Sequence, residues 1–274
     1  MTGDKKFSSN LDSIKEKLAK GEVAIGTHVK IGNPEETDIL CNCGFDIIWV
    51  DGEHGSMDRK DINHQISTIR GAGIAPFARV PWNDPVLAKP ILEMGPAAII
   101  FPLIRSAEEA KKAVESCKYP PRGTRGFGPI KANNYGTMNN KEYLELADRE
   151  PWVILQIEHI DGIKDLKNII KVDGVDSVVI GPSDLSGSIG FLGQTRHPEV
   201  LKLMDEFANV CREADFPFGT SMMFDHQSVS EWIDRGVNWI CVDTDIYYLL
   251  NGGMNTLYNT RKIIKNQASL NKTR

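Results

Sequence analysis

The chain has 274 residues, 41% hydrophobic and 25% charged, a balance that suits a soluble globular protein with a large core and excludes extended disorder. A formal net charge of -5 and a pI near 5.7 argue against an electrostatic footprint for nucleic acid, which leaves a small molecule as the expected partner. The N-terminus carries no apolar h-region and the longest apolar stretch, "PAAIIFPLI", is too short to cross a bilayer, so a cytoplasmic protein without membrane contact is expected.

In chain order, short apolar or β-branched runs alternate with segments of helical period. "EVAIGTHV" from Glu22 is the first candidate strand, followed by "NPEETDILCNCG", with Asn33 placed to cap a helix and Pro34 at its first position. "FDIIWVD" from Phe45 precedes the helical "DRKDINHQISTIRGAG", "IAPFARV" from Ile74 precedes "DPVLAKPILEMG", and "AAIIFPL" from Ala97 precedes "SAEEAKKAVESC". The interval 117–151 breaks the rhythm. It holds the Gly- and Arg-rich "YPPRGTRGFGPIKANNYG" and an extra helix, "NKEYLELADRE", and reads as an insertion after the fourth strand. Its "GTRGFG" is a poor dinucleotide fingerprint, because the spacing is wrong and no strand leads into it. "WVILQIE" from Trp152, "VDSVVIG" from Val175, "FPFGTSM" from Phe216 and "VNWICVD" from Val237 bring the candidate strands to eight, with "HPEVLKLMDEFANVCREA" a helix among them.

Five cysteines at irregular spacing argue against a disulfide framework, and three (Cys41, Cys117, Cys211) fall in helical segments. The pair Cys41 and Cys43 reads as buried thiols at a helix end, because no second Cys/His pair follows at metal-binding spacing.

Near-continuous apolar strands separated by amphipathic helices imply a covered parallel sheet, and eight such units imply a closed (β/α)8 TIM barrel; a doubly wound open sheet is the alternative. The expected organisation is one domain over 1–274, with the barrel at about 21–250 and a C-terminal helix and tail at about 245–274. Active sites in such barrels gather where the strands end. Those ends carry Thr27 and His28, Asp51 with Glu53 and His54, Arg79, Gln156 and Glu158, Ser183 and Asp184, and Asp243. Singly, each has a plain explanation: Asp184 as a helix N-cap, Glu158 as a solvated rim residue, His54 as a turn histidine, Arg79 as a structural ion-pair partner. Jointly, carboxylates, an arginine and a histidine from different strands meet at one barrel end, a donor set suited to a hard divalent cation completed by water and substrate oxygens.

At these residues the sequence resembles the HpcH/HpaI aldolase family of metal-dependent, pyruvate-using class II aldolases. The resemblance runs over about 21–245 and rests on "GFDIIWVDGEH", "FARVP", "YPPRGTRGFG", "QIE", "VIGPSDLSGSIGFLG" and "HPEV" in that order. It implies a barrel whose last helix packs against a neighbouring subunit within a homohexamer, a trimer of dimers. It also implies a Mg2+, Mn2+ or Co2+ ion held by Glu158 and Asp184, Arg79 on the pyruvate carboxylate and keto oxygen, and His54 as the acid/base. The family's aspartate near the catalytic histidine of the next subunit is Glu93 here, in "LEMG", and the loops "VPWNDP" and "GPIKANNYG", expected to contact the aldehyde half, also differ.

The reaction so implied cleaves a 4-hydroxy-2-oxo acid to pyruvate and an aldehyde through an enolate. Arg79 and the ion would stabilise that charge, with Gln156 and the backbone N–H groups of Ser183 and Asp184 binding substrate, and His54, oriented by Asp51 or another acid, moving the C4 hydroxyl proton. Three readings compete: a lysine Schiff-base aldolase using Lys30, oxaloacetate-type decarboxylation, and cleavage of a coenzyme A ester.

Overall fold

The computed structural model describes residues 9–272. Eight parallel strands close in sequence order: β1 (Ala24–Val29), β2 (Ile47–Asp51), β3 (Ala75–Arg79), β4 (Ala98–Phe101), β5 (Trp152–Ile157), β6 (Ser177–Ile180), β7 (Phe218–Met222) and β8 (Trp239–Thr244), with β8 returning to β1. The fold is the (β/α)8 barrel, and the open-sheet alternative falls because both edges are paired. Around it lie α1 (Leu11–Ala19), α2 (Pro34–Cys41), α3 (Arg59–Gly71), α4 (Pro85–Leu92), α5 (Ala107–Cys117), α6 (Asn140–Ala147), α7 (Ile160–Ile169), α8 (Pro182–Ser188), α9 (Pro198–Glu213), α10 (His226–Asp234) and α11 (Asp245–Lys272). No described helix is long and apolar enough to cross a membrane.

The strands' two-residue period explains the site. Ile47, Trp49, Phe77, Ile100, Ile154, Val179 and Trp239 fill the barrel interior, with Leu11 and Ile14 of α1 packed against them. Ile48, Val50, Ala78, Ile99, Leu155 and Val178 face the helices. Continuing the inner parity by one step places Asp51 after Trp49, Arg79 after Phe77, and Gln156 after Ile154 in the barrel mouth. Buried burial on both faces is why the runs read as continuously apolar.

Helix starts follow the sequence signals. Asn33 accepts the Glu35 N–H at 2.9 Å with Pro34 opening α2, and Asp58 closes a reciprocal capping box with Asp61 at the start of α3. Asp184 is not an N-cap: Gly181 holds that position in α8 and Asp184 stands in the first turn, exposed. Cys41, Cys117 and Cys211 lie in helices and all five cysteines are free, but Cys43 is exposed and Cys41 half-buried, against the buried-thiol expectation; the helix ends at Cys41 and its neighbours turn outward.

The insertion follows α5, as its place after "SAEEAKKAVESC" indicates, so it emerges where the strands begin. There Arg125 is buried beneath Tyr119, 4.6 Å over its ring, and bonds Glu93 at 2.8 Å and Tyr143 at 3.1 Å. Lys131 reaches Asn63 Oδ1 at 2.7 Å on α3. Among the described residues, none of this segment lines the mouth of its own chain, so its expected contact with the aldehyde half is not made within one chain.

Candidate active site

The mouth is a cavity of about 300 Å³ lined by residues from β1, β2, β3, β5, β7, β8 and the turn opening α8. At its centre Arg79 pairs with its register partner Asp51: Nε donates to Oδ1 at 3.0 Å and Nη2 to Oδ2 at 2.6 Å, while Nη1 lies 2.7 Å from Glu53 and 3.3 Å from Gln156 Oε1. Burial alone would raise the Asp51 carboxyl, but the Arg79 and Lys30 charges and its hydrogen bonds hold it well below the usual range. Asp51 also shapes the turn beyond it, since Oδ1 accepts the N–H of both Glu53 and His54 at 3.1 Å. Gly52 donates to the Arg79 carbonyl at 3.0 Å, and a Cβ there would sit 2.5 Å from that oxygen, so only glycine lets this turn lie on β3.

Gln156 carries the network on, its amide donating to Glu158 Oε2 at 2.6 Å. Glu158 is 3% exposed, and its other oxygen accepts the Leu103 N–H at 2.8 Å. Leu103 has φ 56°, a strained setting for a branched residue that turns its N–H to the carboxylate. Burial first, then the like charges of Glu53 and Asp184, push the Glu158 carboxyl up to about 7 against the Leu103 bond and Arg79. A Cβ on Gly181 would come within 2.5 Å of Glu158 Oε2, so that glycine is required for the carboxylate's place. Glu158 and Asp184 thus place two carboxyl groups, one buried and one exposed, on the lining of the mouth. Among the described residues no group of three His, Cys, Asp or Glu side chains converges as a closed metal cage. A two-carboxylate site open to water and substrate oxygens fits Mg2+ or Mn2+ better than structural zinc.

His54 stands at the rim, its side chain 62% exposed and Nε2 3.9 Å from Glu53 Oε2. Lys30 lines the mouth with Nζ 3.1 Å from Asp51 Oδ2. Glu93 is not brought to this mouth; it caps α4 where the strands begin, one oxygen on Arg125 and the other buried without a hydrogen-bond partner.

β7, absent from the strand ends expected to line the mouth, brings Ser221 there, with its Oγ 2.9 Å from His28 Nε2. The signal was available: Ser221 follows Gly219 at inward parity near the end of "FPFGTSM". His28 is buried, and burial pushes it down to about 4 despite the Asp243 carbonyl bond and the Asp51 charge. Below pH 6.5 the unfolded chain takes up a proton that the folded one refuses until about 4, so this group's stabilisation is present above 6.5 and lost as pH falls through that window. Glu158 slopes the other way above its ordinary value, so the effect is read as a difference. Urea unfolding of wild type against His28→Gln should differ more at pH 7.5 than at pH 4.5 by roughly 3 kcal/mol; a pH-independent difference would show that His28 is not held neutral.

The sequence pattern of the HpcH/HpaI aldolase/citrate lyase family matches residues 25–251. The chain is 34% identical over 249 residues to the hydroxypyruvate/pyruvate aldolase of Roseobacter denitrificans, covering 89% of this chain and 94% of that protein. It is 32% identical to the 4-hydroxy-2-oxo-heptane-1,7-dioate aldolase of Salmonella typhimurium, over 88% and 91% of the two chains. Among solved structures, an HpcH/HpaI aldolase/citrate lyase family protein of Burkholderia cenocepacia superposes with a TM-score of 0.85 at 29% identity, covering 91% of this chain and 99% of that one. The match spans β1 to the start of α11 and so includes every strand end in the mouth: the chain belongs to the HpcH/HpaI aldolase/citrate lyase family and is a carbon–carbon lyase.

Proposed function

We propose that the protein is a divalent-metal-dependent aldolase that reversibly cleaves a 4-hydroxy-2-oxo acid to pyruvate and an aldehyde. The observation that carries this reading is the juxtaposition of a buried, proton-favouring Glu158 and the neighbouring Asp184 with a guanidinium held in place on three sides. Both named relatives act on 2-oxo-acid chemistry by their names, which supports the substrate class.

Glu158 and Asp184 are the residues that would hold Mg2+, Mn2+ or Co2+, which supplies Lewis acidity toward the 2-oxo group when bound. Arg79 is kept rigid by Asp51 and Glu53, so its charge faces the former keto oxygen as the C3–C4 bond breaks and needs no reorganisation. Gln156 bonds both Arg79 and Glu158 and so sets their spacing. The open first turn of α8 offers the Ser183 and Asp184 N–H groups to the carboxylate. His54 takes the C4 hydroxyl proton, its backbone fixed through Asp51. Glu93 can support it only from a second copy of the chain. Such a copy is also what α11 calls for, since it leaves Leu249, Leu250, Met254, Leu257 and Ile264 exposed; a hexamer with this helix between subunits fits.

The test follows pyruvate methyl-proton exchange in deuterated water by NMR. Chelation should abolish exchange without changing the circular dichroism of the fold, and Mg2+, Mn2+ or Co2+ should restore it. Full exchange in excess chelator, with inactivation by borohydride plus pyruvate, would instead select Lys30, whose engagement by Asp51 at 3.1 Å now makes it a poor nucleophile.

A further inference from the structure

We propose that Ser221, set by His28, is a hydrogen-bond acceptor for a hydroxyl on the aldehyde half of the substrate, so that the preferred acceptors are uncharged hydroxyaldehydes. The inference rests on the aldolase reading above and adds the substrate class.

The polarity of the pair follows from atoms in contact. His28 Nδ1 lies 2.8 Å from the Asp243 carbonyl oxygen, which has no proton to give, so Nδ1 carries one. The buried ring is neutral at working pH, which leaves Nε2 a bare lone pair. Ser221 Oγ, 2.9 Å from Nε2, must therefore donate its single proton there. What Ser221 shows to the mouth it lines is lone pairs alone. A hydroxyl can donate to them; a methylene or a carbonyl oxygen cannot.

Position gives the half of the substrate that meets this group. In the closed order of eight strands, β7 lies opposite β3 and β1 opposite β5. With pyruvate held by Arg79 on β3, Glu158 beyond β5 and the Ser183 and Asp184 N–H groups beyond β6, and the C4 hydroxyl at His54 beyond β2, the other half extends across the mouth toward His28 on β1 and Ser221 on β7. Ser221 also lines an adjoining groove of about 320 Å³, whose walls include Thr195, Met204, Ser228 and Trp232. The guanidinium there is not free for a terminal carboxylate, because Arg196 is bound through both Nη atoms to Glu231 at 2.6 and 2.8 Å. A hydroxylated, uncharged chain suits this surface better than an anionic one.

The experiment measures kcat/KM for metal-loaded enzyme with pyruvate and paired aldehydes, corrected for hydration: glyceraldehyde against propanal, and succinic semialdehyde as the anionic case. Wild type should favour glyceraldehyde over propanal by roughly tenfold or more and over succinic semialdehyde as well. Ser221→Ala should bring the glyceraldehyde-to-propanal ratio near one, and Ser221→Thr should keep it. His28 is a positioning residue, so His28→Phe, which frees the serine proton, should lower the ratio; a merely structural role would depress both aldehydes alike. Equal wild-type values, a preference for succinic semialdehyde, or equal losses in Ser221→Ala overturn the proposal. It also falls if the Ser221 dependence instead follows hydroxypyruvate against pyruvate, which would place the hydroxyl on the other half. Pyruvate exchange separates the failures: absent exchange removes the aldolase reading and this inference together, whereas normal exchange without hydroxyl preference removes this inference alone.

Discussion

Glu158→Gln is expected to weaken Mn2+ binding by at least roughly 100-fold, read by calorimetry or by the Mn2+ spin resonance signal, with a matching rise in the metal needed for half activity. The amide oxygen can still accept the Leu103 N–H, but its NH2 then meets the Gln156 amide that donates to Glu158 Oε2, so that one hydrogen bond is lost. It cannot supply the buried carboxylate oxygen that would share the ion with Asp184. The same substitution should stabilise the metal-free protein, which gives the result a second sign. Glu158 has a folded value of about 7 against an ordinary 4.5, so ionising it costs stability as pH rises through that window, fully above it. In chelator at pH 8, Glu158→Gln should therefore unfold at higher urea than wild type, by an amount on the order of 2 kcal/mol. Loss of metal affinity with a gain in apo stability is the signature of a charge kept for a ligand. Wild-type metal binding in the variant would remove Glu158 from the metal site.

Arg79→Lys is expected to lower pyruvate proton exchange by roughly 10²- to 10³-fold although the charge is kept. The guanidinium bonds Asp51 through Nε and Nη2 and Gln156 through Nη1, which also lies 2.7 Å from Glu53 as an ion pair. An ammonium has neither the planar fork nor the reach to meet all three, so it leaves Asp51 to Lys30 and frees Glu53 beside another acid. The melting temperature should fall too, by a loss on the order of 1–3 kcal/mol, because Asp51 is buried. These outcomes separate two roles. A lower melting temperature with exchange at the wild-type rate would make Arg79 the structural ion-pair partner that it could have been as an isolated residue; exchange lost under conditions where the variant is fully folded places it in the chemistry.

Strand-end chemistry was legible in this sequence for a local reason. A strand turns every second side chain the same way, so the inward apolar series Ile47 and Trp49 points on to Asp51, Ala75 and Phe77 to Arg79, and Ile154 to Gln156. Eight apolar runs with helices between them allow few arrangements, and the ordered motifs from "DGEH" to "GPSDLS" narrow the site further. Asn33 and Asp58 cap their helices through bonds to residues two or three positions away, and such contacts are written in the sequence itself.

What only the closed barrel decided lies across long separations. His28 and Ser221 are 193 residues apart and meet because β8 pairs with β1, through a register shift between Gly26 and His28. Leu103 serves Glu158 only in a left-handed backbone setting that no propensity for leucine would suggest. The insertion, expected to contact the aldehyde half, follows α5, and a helix antiparallel to its strand carries the chain back to the face opposite the mouth. Glu93 goes with it, bound to Arg125 and far from His54 of its own chain. Residue type and parity settle which side chains point inward; the closure of the sheet and the direction of each returning helix settle which of them meet.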